Sequence, residues 1–113
     1  MLSVADDIPR PKRRTLYLAA QVTQKSMNDL TKAIVDINAH DRYLEKLYPV
    51  YGLSYAAQPI HIYIDSYGGA VYQCMGLLGV MNKSVTPIHT IATGAAMSCG
   101  FMILICGHKR FAY

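Results

Sequence analysis

At 113 residues the chain can hold one small domain with a modest core. Its 52% hydrophobic and 16% charged residues exclude a disordered chain, which needs the opposite balance. The three cysteines, Cys74, Cys99 and Cys106, are odd in number, lie in apolar surroundings and make no C-x-x-C pair; this excludes a disulfide framework and a cysteine zinc site, and fits reduced thiols in the cytoplasm. The formal net charge is +4, drawn partly from Arg10, Lys12, Arg13 and Arg14. With no aromatic residues among them, these cations read as a solvated arm, with no nucleic-acid partner expected.

Residues 1–14, interrupted by Pro9 and Pro11, are expected to form a flexible N-terminal arm. No apolar run follows a basic start there, so no signal peptide is expected. Thr15 to Ala19 reads as a short strand. Ser26 to Asp29 fits an S-x-x-D capping pattern, and Met27, Leu30, Ile34, Ile37 and Leu44 recur near the helical period, predicting a helix to Asn38 or beyond. Residues 43–58, with Tyr43, Tyr48, Tyr51, Tyr55, Pro49 and Gly52, fit an ordered loop or a helix extension.

Pro59 to Asp65 is a clear strand, with Ile60, Ile62 and Ile64 on one face and His61, Tyr63 and Asp65 on the other. Ser66 to Gly69 is a turn, and Ala70 to Asn82 an apolar helix. Thr86 to Ala92 is the next strand, Gly94 to Met97 a tight turn, and Phe101 to Cys106 the body of a buried helix. Lys109 to Tyr113 begins another strand. Residues 84–107 carry no formal charge, but Pro87, His89, Gly94 and Ser98 interrupt the run, so no membrane span is expected. Alternating strands and helices imply a largely parallel sheet covered by crossover helices.

Two turns carry the chemistry. Both follow a strand and open a helix, so both lie at the carboxyl ends of parallel strands, where ligand sites of α/β folds gather. Gly68 and Gly69 let the backbone approach a ligand closely. Ser98 stands where strand gives way to helix, facing the free N–H groups of a first helical turn. That position suits a nucleophile that passes through an oxyanion, and equally a helix N-cap.

The two stretches Ile64-Asp65-Ser66-Tyr67-Gly68-Gly69 and Gly94-Ala95-Ala96-Met97-Ser98-Cys99-Gly100, with apolar helices after each and then Lys109-Arg110-Phe111-Ala112, resemble the proteolytic subunit of the Clp protease family. The resemblance covers roughly residues 14–113, and the tyrosine-rich segment 43–58 reads as an insertion. It implies the α/β fold of repeated strand–helix units shared by Clp proteases and crotonases, with residues 15–113 as the N-terminal part of such a domain. It implies Ser98 as the catalytic nucleophile, the N–H groups of Gly68 and Cys99 as the oxyanion hole, and Gly69, Ala70 and Val71 as the strand that binds substrate backbone. It implies no metal and no organic cofactor. The implied partners are other subunits of a ring, an ATP-driven unfoldase, and unfolded polypeptide as substrate. Tyr67 replaces the family's usual proline and Asp65 its usual asparagine.

A serine nucleophile needs a base. His40, His61, His89 and His108 are all expected too far from Ser98 to serve, and in the family the histidine and aspartate follow the Lys-Arg-Phe-Ala strand. A catalytically inactive assembly subunit of the same ring is therefore an alternative. A crotonase-like acyl-CoA protein is a second alternative, against which Ser98 argues.

Overall fold

The computed structural model describes residues 13–112. The elements are β1 (Thr15–Leu18), α1 (Gln24–Leu47), a 3₁₀ turn (Tyr48–Tyr51), β2 (Ile60–Ser66), α2 (Val71–Lys83), β3 (Ile88–Ala96), α3 (Cys99–Ile105) and β4 (Lys109–Ala112). The four strands form one fully parallel sheet in the order β1-β2-β3-β4. Each strand is added beside the last in the same direction. Right-handed crossovers then place every helix on the same face of the sheet.

That face holds the core. Ile60, Ile62, Ile64 and Ile88 from the strands pack with Met27, Leu30, Ile34 and Ile37 of α1, Cys74, Leu77 and Met81 of α2, and Cys99 and Ile103 of α3. Complete burial of one such isoleucine is worth about 1.5–3 kcal/mol. The opposite face carries Tyr17 stacked on Tyr63, His61 beside His89, and Phe111 against His89, with ring centroids 5.5, 5.3 and 6.0 Å apart.

Several expected boundaries move for identifiable reasons. α1 starts two residues before Ser26, because Thr23 is its cap: the Ser26 N–H donates to Thr23 Oγ1 and the Thr23 N–H to Ser26 Oγ. It runs on to Leu47 because Asp41 and Leu44 on its inner face are both buried. Segment 43–58 is thus partly helix extension, then a 3₁₀ turn closed by Gly52.

The expected arm lies outside the described residues up to position 12. Arg14, its last residue, is firmly held. Its guanidinium donates to both oxygens of Asp41, to the Gln58 carbonyl and to Tyr55 Oη. Asp41 also accepts from the Tyr55 and Thr86 hydroxyls, each at 2.5 Å. This buried network pins β1, α1, the tyrosine-rich segment and the entry to β3 at the amino ends of the strands.

Candidate active site

The carboxyl ends of β2 and β3 lead into the two turns. Ile64 pairs with Ala92 but Ser66 with Ala96, so β3 bulges between them. The Gly94 to Ala96 stretch, expected as a turn, is therefore strand. The Asp65 carboxylate accepts the Ala95 N–H at 2.9 Å and secures the bulge. Such bulges re-aim the chain next to active sites.

After the bulge, Ser98 occupies the N-cap position of α3 without acting as a cap. Its φ is 52° and its ψ −121°, and its side chain makes no capping hydrogen bond. It is the one non-glycine residue at positive φ among those described. An L-residue there is strained, and such strain persists where surrounding structure imposes it. Nucleophilic serines on sharp strand-to-helix elbows have this character, with the hydroxyl presented outward. Ser98 is exposed, while Cys99 is 1% exposed. The Cys99 thiol contacts the Gly69 carbonyl at 3.7 Å, pointing away from solvent, so only its N–H is available to a ligand.

The glycine turn lies directly against the elbow. A Cβ on Gly68 would stand 2.8 Å from Ser98 Cβ and 3.2 Å from the Cys99 nitrogen. Gly68 and Gly69 have φ of 103° and 149°. The segment is fixed from its other side by Val22, whose N–H donates to the Gly68 carbonyl and whose carbonyl accepts from Ala70, both at 2.8 Å.

Counting N–H groups revises the expected donors. The Gly68 N–H donates to Ser66 Oγ at 3.1 Å, and Ser66 is only 2% exposed. That N–H is spent on a buried hydroxyl, so it is not the free oxyanion donor expected from the sequence. The N–H groups of Gly69, Val71 and Cys99 donate to no acceptor among the described residues. Of the three expected substrate-strand residues, Ala70 has its N–H taken by Val22, leaving Gly69 and Val71 on the opposite edge. The site therefore joins an exposed hydroxyl to unspent N–H groups on two converging turns.

All four histidines lie at the other end of the sheet. His61 and His89 are register partners near the starts of β2 and β3. His108 Nδ1 accepts the N–H of Ile88, the first residue of β3, at 2.9 Å. His40 adjoins Asp41 in the network at the amino ends of the strands. From His89 to the end of β3 is about 20 Å at the usual rise. Lys83 ends α2 and Lys109 is in register with His89, so both lie at that far end as well. Among the described residues no cluster of His, Cys, Asp and Glu could hold a metal ion, and no helix is long and apolar enough to cross a membrane.

A sequence model described as "Clp protease" matches residues 7–113. The chain belongs to the Clp protease family.

Within the family it is similar to the ATP-dependent Clp protease proteolytic subunit 1 of Prochlorococcus marinus (strain MIT 9312), at 29% identity over 98 residues, covering 87% of this chain and 43% of that one. It is 31% identical over 103 residues to the ATP-dependent Clp protease proteolytic subunit of Pinus thunbergii, covering 89% of this chain and 45% of the relative. The fold matches the crystal structure of the ClpP protease catalytic domain from Plasmodium falciparum with a TM-score of 0.66 and 26% identity, over 88% of this chain and 49% of that one. The chain spans less than half the length of these two Clp subunits and about half of the structural neighbour.

Proposed function

We propose that this chain supplies the nucleophile and oxyanion hole of a serine-type Clp peptidase. The observation that carries the reading is Ser98: a strained, uncapped serine whose neighbouring Cys99 and Gly69 N–H groups are unspent. Ser98 Oγ attacks the scissile carbonyl, and the resulting oxyanion is held by the N–H groups of Cys99 and Gly69. Such donors are set in place before charge develops, and loss of one costs on the order of 10²–10³ in rate. Substrate backbone lies along the edge that presents Gly69 and Val71.

The base for Ser98 comes from outside the described residues. The partners in this reading are other subunits of a ring and an ATP-driven unfoldase in the cytoplasm, and the substrate is unfolded polypeptide. ATP belongs to the unfoldase, and the peptidase chain uses no metal or organic cofactor. Exposed Tyr67, Val71, Tyr72, Met97 and Phe101 beside the elbow support contact with further polypeptide.

A second reading, a non-catalytic ring subunit, is favoured by the placement of all four histidines away from Ser98. A fluorophosphonate probe separates the two when applied to the protein isolated from its source. Adduct on Ser98, lost in Ser98→Ala, supports the peptidase. An unlabelled Ser98 in an assembled ring supports the non-catalytic subunit.

A further inference from the structure

Ser66 belongs to neither the expected nucleophile nor the expected oxyanion hole, yet it is bonded to both turns of the site. Its hydroxyl accepts the Gly68 N–H at 3.1 Å, closing a tight side-chain turn. Its carbonyl accepts the Met97 N–H at 3.1 Å, one residue before Ser98. The same carbonyl lies against Gly100 in the first turn of α3, where a Cβ would approach it to 2.9 Å. Ser66 is also the last residue of β2 to pair with β3, across from Ala96 beyond the bulge. One buried residue thus ties the glycine turn to the serine elbow.

We propose that Ser66 is a positioning residue for the oxyanion hole. The inference rests on the peptidase reading above. Gly68 and Gly69 are the most freely rotating residues of the turn, and nothing in their own covalent structure selects which N–H faces Ser98. By taking the Gly68 N–H, the Ser66 hydroxyl fixes the Tyr67–Gly68 peptide, while the Val22 N–H holds the Gly68 carbonyl; together they set the turn so that the Gly69 N–H, opposite that carbonyl, is left unspent. Without the hydroxyl the Gly68 N–H is buried and unpartnered, and rotation of the Tyr67–Gly68 peptide relieves this by turning Gly68, which shifts the Gly69 N–H from its place. Ser66 makes no contact with substrate. Its effect belongs to the step in which charge develops, not to binding of the neutral peptide.

The test compares Ser66→Ala, Ser66→Cys and Ser98→Ala in the full-length protein from its source, assembled with its partner subunits. Three quantities are read: the rate of fluorophosphonate labelling at Ser98, kcat and KM separately on a short fluorogenic peptide, and the thermal midpoint. Ser66→Ala is expected to lower labelling and kcat about tenfold, the worth of one hydrogen bond, with KM unchanged. Ser66→Cys keeps the volume with a weaker acceptor and should fall between Ser66→Ala and the parent, at an unchanged midpoint. A parental rate in Ser66→Ala overturns the proposal. So does a faster one, which would make the Gly68 N–H the true donor and Ser66 its competitor. A change confined to KM, or a loss in both variants that follows the thermal midpoint, overturns it equally. Failure of the peptidase reading is distinct: the parent protein would itself leave Ser98 unlabelled.

Discussion

Gly68 and Ser98, thirty residues apart in sequence, meet so closely that a methyl group on Gly68 would come within 2.8 Å of Ser98 Cβ. It would also meet the Met97 carbonyl at 2.9 Å, and its backbone sits at a φ of 103°. Gly68→Ala is therefore expected to lower fluorophosphonate labelling of Ser98 by about 100-fold, the effect of displacing a reacting group by roughly 1 Å. The positive φ should add a stability loss of about 1–3 kcal/mol. Labelling at the parental rate would show that the two turns do not work as a unit.

The thiol beside the nucleophile should be chemically quiet. Cys99 is 1% exposed, and Cys74, fully buried, donates to the Cys99 carbonyl at 3.7 Å. Burial, with the Cys99 thiol beside it, pushes the Cys74 thiol up to about 12. Iodoacetamide near neutral pH should modify half-buried Cys106 first, and reach Cys74 and Cys99 only when the protein is unfolded, as read by peptide mass mapping. Cys99→Ala should still be labelled at Ser98, since only the Cys99 N–H faces the site. Rapid native alkylation of Cys99, or loss of Ser98 labelling in folded Cys99→Ala, would assign the thiol a chemical role.

The Asp41 network makes stability depend on acid. Burial alone would raise the Asp41 carboxyl, but hydrogen bonds from Arg14, Thr86 and Tyr55 and the charge of Arg14 outweigh it, so its pKa lies below the ordinary value. The unfolded chain then takes the proton first as pH falls. The stabilisation is present in full above the unfolded value, near 3.9, and is lost as pH drops through the folded one. Asp41→Asn should cost roughly 3 kcal/mol at neutral pH by leaving Arg14 without its counter-charge, and less near pH 3. Urea unfolding at both pH values measures the difference, and an equal cost at both would contradict the ionic account.

His89 works at milder pH. Partial burial lowers its pKa, and the neighbouring His61, Lys109 and His108 lower it further. The unfolded imidazole therefore binds its proton before the folded one. Stability is highest above about pH 6.5 and declines below it until the folded ring also protonates. His89→Gln should flatten the fall in denaturation midpoint between about pH 7.5 and pH 5.5. An unchanged pH profile would place the effect elsewhere.

Much of the fold is legible because its signals are local. The alternation of Ile60, Ile62 and Ile64 with His61, Tyr63 and Asp65 marks a strand with one buried face, and Ser98 sits at the strand-to-helix junction the sequence suggests. What escapes sequence reading depends on distant partners. Asp41 is a helix residue whose anchor, Arg14, precedes it by 27 positions, so the extension of α1 carries no local mark. Gly94 reads as a turn, yet the Asp65 carboxylate holds that stretch as a bulged strand. Whether Gly68 or Gly69 offers its N–H cannot be read from two adjacent glycines. It is decided by the Ser66 hydroxyl on one side and Val22 on the other.

The peptidase reading stands on Ser98 as a nucleophile. The most direct measurement is the mass of the Ser98 peptide after treating the protein from its source, assembled with its partners, with a fluorophosphonate. One phosphonyl adduct on Ser98 is expected, absent in Ser98→Ala and absent after unfolding. An assembled, folded protein whose Ser98 stays unmodified, under conditions that label an active Clp peptidase, would contradict it.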